Sequence, residues 1–329
     1  MDRSRRRPGR LIALLAVGLL GAAAAAPSAP PLRAMRWLAP GVDASVALTR
    51  RPTECLAPFA EAPDAYYVAI GRVAFRTPLV LGGQAARVGL SCDSCHQAGR
   101  DNPDFDFPGV SGAPGTADVT TSVLSSHEMN SVHGARPIPN LSGPKSALKT
   151  SQDPASGALE AQINAIATHE FDGAPMPASV LKGLAAYVRH LTPDACPTRQ
   201  WAPLGVRVAF SGVQTATTMA AVAVLRNDEP AAVVLLASAR SQLGDIDERY
   251  AGPELAPERA ALAQSSLDLA AAQAAARRGD PRGANTDIFL WIAHAQALAD
   301  TLAKAEPRSL YNPARLADAV RRAVRPPAP

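Results

Sequence analysis

The most constraining feature of this sequence is the run Cys92-Asp93-Ser94-Cys95-His96. Two thiols three residues apart lie on one side of a helical turn, where both can add as thioethers to the vinyl groups of a single haem. The imidazole of His96 is then placed to bind the iron. The spacing therefore predicts one covalent haem c held by Cys92, Cys95 and His96, and the fold of the chain must accommodate that group.

A Cys-x-x-Cys pair can also belong to a zinc site or to a redox-active disulfide, and both fit the rest of the sequence less well. A structural zinc site needs two further ligands at a matching short spacing, whereas the remaining cysteines, Cys55 and Cys196, are isolated. A thioredoxin-like redox pair needs a βαβ pattern around it, and the sequence has no such pattern. The histidine that directly follows Cys95 therefore favours haem.

The sixth ligand of the iron decides what such a haem does, and the sequence offers one leading candidate. Pro175-Met176-Pro177 stands directly before an amphipathic segment, an order that resembles the distal methionine of small electron-transfer cytochromes c. A thioether ligand raises the reduction potential, which suits an electron carrier. Met176 is therefore predicted to bind the iron opposite His96, with an ordinary gap-filling methionine as the alternative. Further candidates for this position are His127, Met129, His133 and His169.

Several segments around the motif follow a pattern known from other proteins. They are Gly71-Arg72-Val73-Ala74-Phe75, Pro78-Leu79, Gly82-Gly83, Ser91 to His96, Pro137-Ile138-Pro139-Asn140-Leu141 and Leu181 to Leu191. Together they resemble the bacterial di-haem cytochrome c peroxidases and their MauG-like relatives, over roughly residues 64–192. The resemblance implies a cytochrome c-like haem domain with long ordered loops. That family uses two haems, one that accepts electrons and one that meets peroxide, but this chain has a single Cys-x-x-Cys-His.

The first 26 residues account for the whole net charge of the chain. Five arginines and one aspartate there give +4, while the remainder carries 28 basic and 28 acidic residues. A basic start, an apolar run over 11–20 and small residues over 22–26 are typical of a secretory signal peptide at 1–26. This predicts a periplasmic protein in an oxidising, Gram-negative-type compartment, with a retained N-terminal anchor as the alternative. The neutral remainder gives no compositional support for nucleic-acid binding.

Beyond the signal, the sequence predicts a mainly α-helical protein in three parts. Residues 27–54 form a Pro- and Ala-rich lead-in segment, residues 55–199 a c-type haem domain and residues 200–329 an antiparallel helical bundle. The predicted helices run over about 63–75, 84–97, 178–191, 212–226, 229–250, 256–278 and 286–304, with a short last helix from Pro313.

Two longer stretches carry further expectations. Residues 100–157 are punctuated by Pro, Gly, Ser and Asn, and a connection of that length in a compact domain predicts an ordered loop around a bound group. The most apolar stretch, 206–225, contains Arg207, Gln214 and several threonines. We therefore expect no stable membrane span once the signal is removed.

Cys55 and Cys196 flank the haem motif on either side. In an oxidising compartment they could pair and close a loop of 141 residues, which chain-entropy reasoning values at about 5 kcal/mol. Two separate thiols are the alternative, because sequence alone does not show whether two sulfur atoms are close together.

These features predict an exported mono-haem c-type cytochrome that exchanges single electrons with a redox partner protein, and they favour an electron carrier over an enzyme. The second hypothesis is a peroxidase-type haem enzyme with an open or labile sixth position. A third is a haem-based redox sensor in which the helical half responds to the state of the haem.

Overall fold

The computed structural model describes residues 32–58, 62–127, 134–196 and 201–324, and over these residues the chain is mainly helical, as predicted. The α-helices are α1 (Ala44–Ala47), α2 (Ala62–Ala74), α3 (Gly83–Arg87), α4 (Cys92–Cys95), α5 (Ala158–Ala165), α6 (Ala178–His190), α7 (Val206–Leu225), α8 (Glu229–Arg249), α9 (Ala256–Arg277), α10 (Pro281–Ala305) and α11 (Pro313–Val324). A π-helical turn, Ile166–Glu170, continues α5. The strands are β1 (Arg50–Pro52), β2 (Thr116–Ala117), β3 (Arg136–Pro137) and β4 (Trp201–Pro203). The predicted signal peptide at 1–26 lies outside the described residues.

The short strands tie distant parts of the chain together. β1 pairs antiparallel with β4, so that Pro52 faces Trp201, and β2 pairs antiparallel with β3. The lead-in segment also packs inward, because the indole N–H of Trp37 donates to the carbonyl of Val88 at 3.0 Å. From residue 32 onward, the predicted lead-in is therefore an integral part of the fold.

The predicted helix over 84–97 is wrong, because the structure has two short helices there, α3 and α4. Gly89 between them has φ +74°, a left-handed conformation that ends α3. A Cβ at Gly89 would also lie 2.5 Å from the Met35 side chain and 2.7 Å from the Arg33 carbonyl. The lead-in segment therefore requires a glycine at this position, and the chain turns before the Cys-x-x-Cys-His motif.

The other predicted helices are confirmed, with two early starts. α7 begins at Val206 and α10 at Pro281, several residues before the predicted 212 and 286. The carboxylate of Asp280 caps α10 by accepting the backbone N–H of Gly283 at 2.9 Å, and a proline in the first turn needs no such partner. The capping aspartate and the proline at 280–281 therefore determine where α10 begins.

The first hydrophobic cluster is one continuous core that runs from Tyr66 to Tyr311. It joins α2 and α6 to α7, α8, α9 and α10, and α7 and α8 both contact α2. α2 and α6 approach so closely that a Cβ at Gly71 would lie 1.9 Å from the Gly183 carbonyl oxygen. The predicted boundary at 199/200 thus runs through a shared core.

The second hydrophobic cluster lies beside the Cys-x-x-Cys-His motif. Its buried members are Leu81, Ala85, Leu90, Phe105, Phe107, Val110, Leu124, Ile138 and Phe171. Five of them come from the predicted loop over 100–157, which is ordered in its described parts. The loop therefore contributes a core of its own.

Helix α7 is long and apolar enough to cross a membrane by length and composition alone. Within the structure it packs against α8 and α10, and Phe210, Val213 and Val224 are among its buried residues. A core helix has the same composition, so this is weak evidence for a membrane span.

Candidate functional site

The Cys-x-x-Cys-His motif forms a single helical turn, α4, whose first residues are fixed by hydrogen bonds. The hydroxyl of Ser94 accepts the backbone N–H of Ser91 at 3.0 Å, and the two serines form a capping box. The N–H of Asp93 donates to the Phe75 carbonyl at 3.0 Å, which fastens α4 to the end of α2. The positions of Cys92, Cys95 and His96 are therefore fixed by hydrogen bonds on either side.

Cys92 and Cys95 lie on one side of this turn in apolar surroundings. Both pack against the second hydrophobic cluster, and Cys92 also touches the first. Burial raises the pKa of each thiol to about 12, so both side chains are neutral as thiols. An apolar environment with two sulfur atoms one helical turn apart suits a flat, largely apolar group attached through both.

The imidazole of His96 is oriented by the long loop. Its Nδ1 lies 3.0 Å from the carbonyl oxygen of Pro139, and a carbonyl can only accept, so Nδ1 carries the proton. Burial lowers the pKa of the ring, which keeps it neutral. Nε2 then has a lone pair available for a metal, in the arrangement that metal-binding histidines use when a second group fixes the tautomer.

The side chain of Asp93, inside the motif, lies in a cationic cluster. It accepts the N–H of Ala98 at 2.9 Å and pairs with Arg51 at 3.2 Å, with Arg76 at 3.9 Å. Burial alone would raise the pKa of this carboxyl, but Arg51, Arg76 and Arg36 outweigh it and lower the pKa below its usual value. Asp93 is therefore ionised and holds the turn that follows His96.

A second carboxylate, Glu54, completes this cluster. It pairs with Arg76 and, at 2.6 Å, with Arg72, and it accepts the phenolic O–H of Tyr187 at 2.9 Å. Burial again opposes ionisation, but the three nearby guanidinium groups keep the pKa of Glu54 low. The cluster around Asp93 and Glu54 therefore contains more guanidinium groups than carboxylates.

Met176 lies in the segment between the π-helical turn and α6. Its side chain is half-buried and packs against the first hydrophobic cluster, which Cys92 also touches. The segment is clamped to the chain leading to the motif, because a Cβ at Gly82 would lie 2.4 Å from the Cα of Gly173. Phe171, five residues before Met176, belongs to the second cluster together with both motif cysteines. The role of Met176 as the sixth ligand stays a prediction.

Two of the alternative sixth ligands meet at the π-helical turn. The rings of His127 and His169 lie 5.7 Å apart, and Nε2 of His127 is 3.7 Å from a carboxylate oxygen of Asp172. The hydroxyl of Ser125 donates to the His169 carbonyl. The other two candidates, Met129 and His133, lie outside the described residues.

The structure brings Cys55 and Cys196 together. The sulfur of Cys55 donates to the Cys196 carbonyl at 3.4 Å, and one guanidinium nitrogen of Arg100 contacts both sulfur atoms, that of Cys196 at 3.1 Å. The hydroxyl of Thr53 lies 3.4 Å from the Cys196 sulfur. The proximity that sequence could not show is therefore present.

Sequence reasoning missed two contributors to these sites. The Pro139 carbonyl is 43 residues from His96, and Arg100 is 45 residues from Cys55 and 96 from Cys196. Nothing in the local pattern marks such partners. The segment from Pro137 to Leu141 was noticeable only through its resemblance to other proteins.

Comparison with known proteins adds no relative. No protein-family model matches the chain, and neither a curated protein nor a solved structure is significantly similar to it. Within the part of the chain that the structure describes, no group of three or more His, Cys, Asp or Glu side chains could hold a metal ion.

Proposed function

We propose that this chain is an exported mono-haem c-type cytochrome that transfers single electrons. The observation that carries the proposal is the 3.0 Å contact between Nδ1 of His96 and the Pro139 carbonyl, beside two thiols on the same helical turn. This arrangement combines one neutral imidazole with two thiols that pack against one apolar cluster. It fits covalent haem attachment better than it fits a disulfide or a zinc site.

Each residue of the motif would have a separate role in binding the haem. Cys92 and Cys95 would bear the thioether bonds, and His96 would bind the iron through Nε2 with its ring held in place by Pro139. Met176 would supply the second ligand to the iron. When bound, the haem supplies a one-electron iron couple whose potential its axial ligands and surroundings tune.

The charges behind the motif would tune that couple. Arg36, Arg51 and Arg76 surround Asp93, so positive charge is in excess on this side of α4. Excess positive charge disfavours the more positive oxidised state by Coulomb repulsion, and a buried site screens it little. This cluster would therefore raise the reduction potential, in the same direction as a methionine ligand.

The helical half would be a scaffold. α7, α8, α9 and α10 pack each on the next, and α10 packs back on α7. Their connections are short, which favours an antiparallel bundle. We propose that this bundle supports α2 and leaves the haem side of the chain for a redox partner protein in the periplasm.

The ligand assignment is tested by the spectra of two matched variants of the exported protein. Met176→Leu and Met219→Leu both replace a half-buried methionine that packs against the first cluster, with little change in volume. We expect the sulfur-to-iron charge-transfer band of the ferric protein to disappear in the first variant and to persist in the second. A band that survives Met176→Leu would assign the sixth position to another group.

The electron-carrier function is tested separately with peroxide and a reduced donor. A carrier with two strong axial ligands should give no steady-state peroxide turnover and no spectral response to cyanide. Turnover of peroxide would instead establish the peroxidase-type enzyme. The absence of turnover and of a cyanide response would argue against the enzyme but would not by itself establish electron transfer. Exchange of electrons with an external cytochrome is therefore measured in the same samples, and slow exchange would contradict the carrier function.

A further inference from the structure

Cys55 and Cys196 lie in a part of the fold that the proposed cytochrome does not use. Backbone pairings enclose them on both sides, since Pro52 faces Trp201 and Leu56 faces Leu191 across an antiparallel bridge. The N–H of Thr192 also donates to the Cys55 carbonyl at 2.7 Å. The two sulfur atoms are thus held together by the fold.

Arg100 gives this pair an unusual setting. Its side chain is buried, and among the described residues it has no carboxylate within ion-pair distance. Its terminal nitrogen donates instead to the sulfur atoms of Cys55 and Cys196. A buried guanidinium without a counter-charge is costly, and a thiolate on one of these sulfur atoms would supply that charge.

The two thiols differ in access and in acidity. Cys55 is fully buried, whereas Cys196 is half-exposed. Burial raises the pKa of Cys55 to about 11, while hydrogen bonds from Cys55 and Thr53, together with the charge of Arg100, lower the pKa of Cys196. Cys196 is therefore the thiol that solvent reaches and the one that ionises first.

We propose that Cys55 and Cys196 are a redox-active dithiol, with Cys196 as the entering nucleophile, Cys55 as the resolving thiol and a protein disulfide of the thiol–disulfide oxidoreductase class as the partner. The Cys196 thiolate attacks one sulfur of the partner's disulfide, forms a mixed disulfide and releases the partner's other sulfur as a thiolate. Cys55 then gives its proton to solvent and attacks the Cys196 sulfur, which expels the partner's second thiolate. The chain loses two electrons, and the partner's two thiolates take up protons from solvent to give a dithiol.

The position of Arg100 makes this bond reversible. Its charge stabilises the Cys196 thiolate of the reduced form and has no counter-charge in the disulfide, so the equilibrium shifts toward the dithiol. The pair would therefore exchange with its partner rather than act as an inert staple. None of these steps involves the haem, so the inference stands independently of the proposed cytochrome.

Peptide mapping separates the two sites in one experiment. Trypsin should release Cys55 within 51–72, Cys196 within 190–199 and the haem motif within 88–100. The full-length exported protein is equilibrated with oxidised glutathione, blocked with N-ethylmaleimide and digested without reductant. We expect the first two peptides to be linked, with a mass two hydrogens below their sum. Separate blocked or glutathionylated peptides would overturn the proposal, whatever peptide 88–100 carries.

Two single variants test the roles assigned to the thiols. In Cys55→Ser, Cys196 should form a mixed disulfide with glutathione, and in Cys196→Ser the reaction at Cys55 should be at least about tenfold slower at pH 7. Adding Arg100→Gln to Cys55→Ser should slow the reaction of Cys196 about tenfold and move its pH midpoint upward. Circular dichroism shows whether that double variant folds; if it does not, the two single variants decide. Equal rates at Cys55 and Cys196 would overturn the assignment.

Discussion

Replacing Asp93 by asparagine should lower the free energy of unfolding, because it removes the negative charge that pairs with Arg51 and Arg76. The carboxylate lies 3.2 Å from Arg51 and 3.9 Å from Arg76, which at an effective dielectric constant of about 20 corresponds to gross attractions of about 5 and 4 kcal/mol. Much of this offsets the desolvation of the three groups, and removing one partner of such a buried pair costs about 3 kcal/mol. Asparagine still accepts the N–H of Ala98, so the change isolates the charge.

The pH dependence of this effect has a definite sign. The pKa of Asp93 is lowered in the folded protein from its usual 3.8, so its contribution is fully present above that value and is lost as the pH falls through the lower, folded pKa. The difference in unfolding free energy between wild type and Asp93→Asn should therefore be constant from pH 7 to pH 5. This difference should shrink below about pH 3.8, because Asp93 then takes up a proton and becomes neutral, like the asparagine that replaces it.

Urea unfolding followed by circular dichroism at pH 7, 5 and 3 measures these differences. Asp194→Asn is the matched control, because Asp194 is exposed and the change should cost less than about 0.5 kcal/mol. Equal stabilities of wild type and Asp93→Asn at pH 7 would refute the proposed ion-pair cluster. A loss that is equally large at pH 3 would refute its electrostatic origin.

Three further substitutions test the packing of the fold by the same unfolding assay. Gly71→Ala places a Cβ 1.9 Å from the Gly183 carbonyl oxygen and should cost about 3 kcal/mol of unfolding free energy. In the control Gly212→Ala, the added Cβ meets only the end of the Gln242 side chain, so the change should be neutral or stabilising. Equal effects of the two changes would contradict the close approach of α2 and α6. Leu235→Ala removes a fully buried side chain of α8 and should cost about 2–5 kcal/mol of unfolding free energy. The control Leu267→Ala, at a half-exposed side chain, should cost less than about 0.5 kcal/mol. A small loss at Leu235 would be inconsistent with one shared core. Burial raises the pKa of Asp245 to about 7, so the folded protein is less stable once this carboxyl ionises. Asp245→Asn should therefore stabilise the protein more at pH 8 than at pH 5. An effect of equal size at both pH values would contradict the raised pKa.

Most helices could be predicted because their signals are local. Asp228 caps α8 by accepting the N–H of Ala231, with Pro230 in the first turn, and both are visible in the sequence. The break at Gly89 was missed because its cause is not local: the turn is imposed by Met35 and Arg33, more than 50 residues earlier. The short strands were missed because two or three residues carry no usable periodicity.

The chemistry of the site could be predicted only in part, for a similar reason. Cys92, Cys95 and His96 are adjacent, so their spacing alone indicates their chemistry. The tautomer of His96 depends on a carbonyl from the long loop, and the contact between Cys55 and Cys196 depends on backbone pairings of segments about 140 residues apart. Such partners are set by tertiary structure, and no local pattern in this sequence indicates them.

The presence of the haem is tested most directly by the mass and spectrum of the exported protein. The chain is produced in a periplasm that contains haem-attachment machinery, and peptide 88–100 is analysed after denaturation in acid. We expect that peptide to carry one haem that remains bound, with no haem in the Cys92→Ser/Cys95→Ser variant and full loading in the Cys55→Ser/Cys196→Ser control. A haem-free peptide 88–100 from otherwise folded, exported protein would contradict the assignment of this chain as a c-type cytochrome.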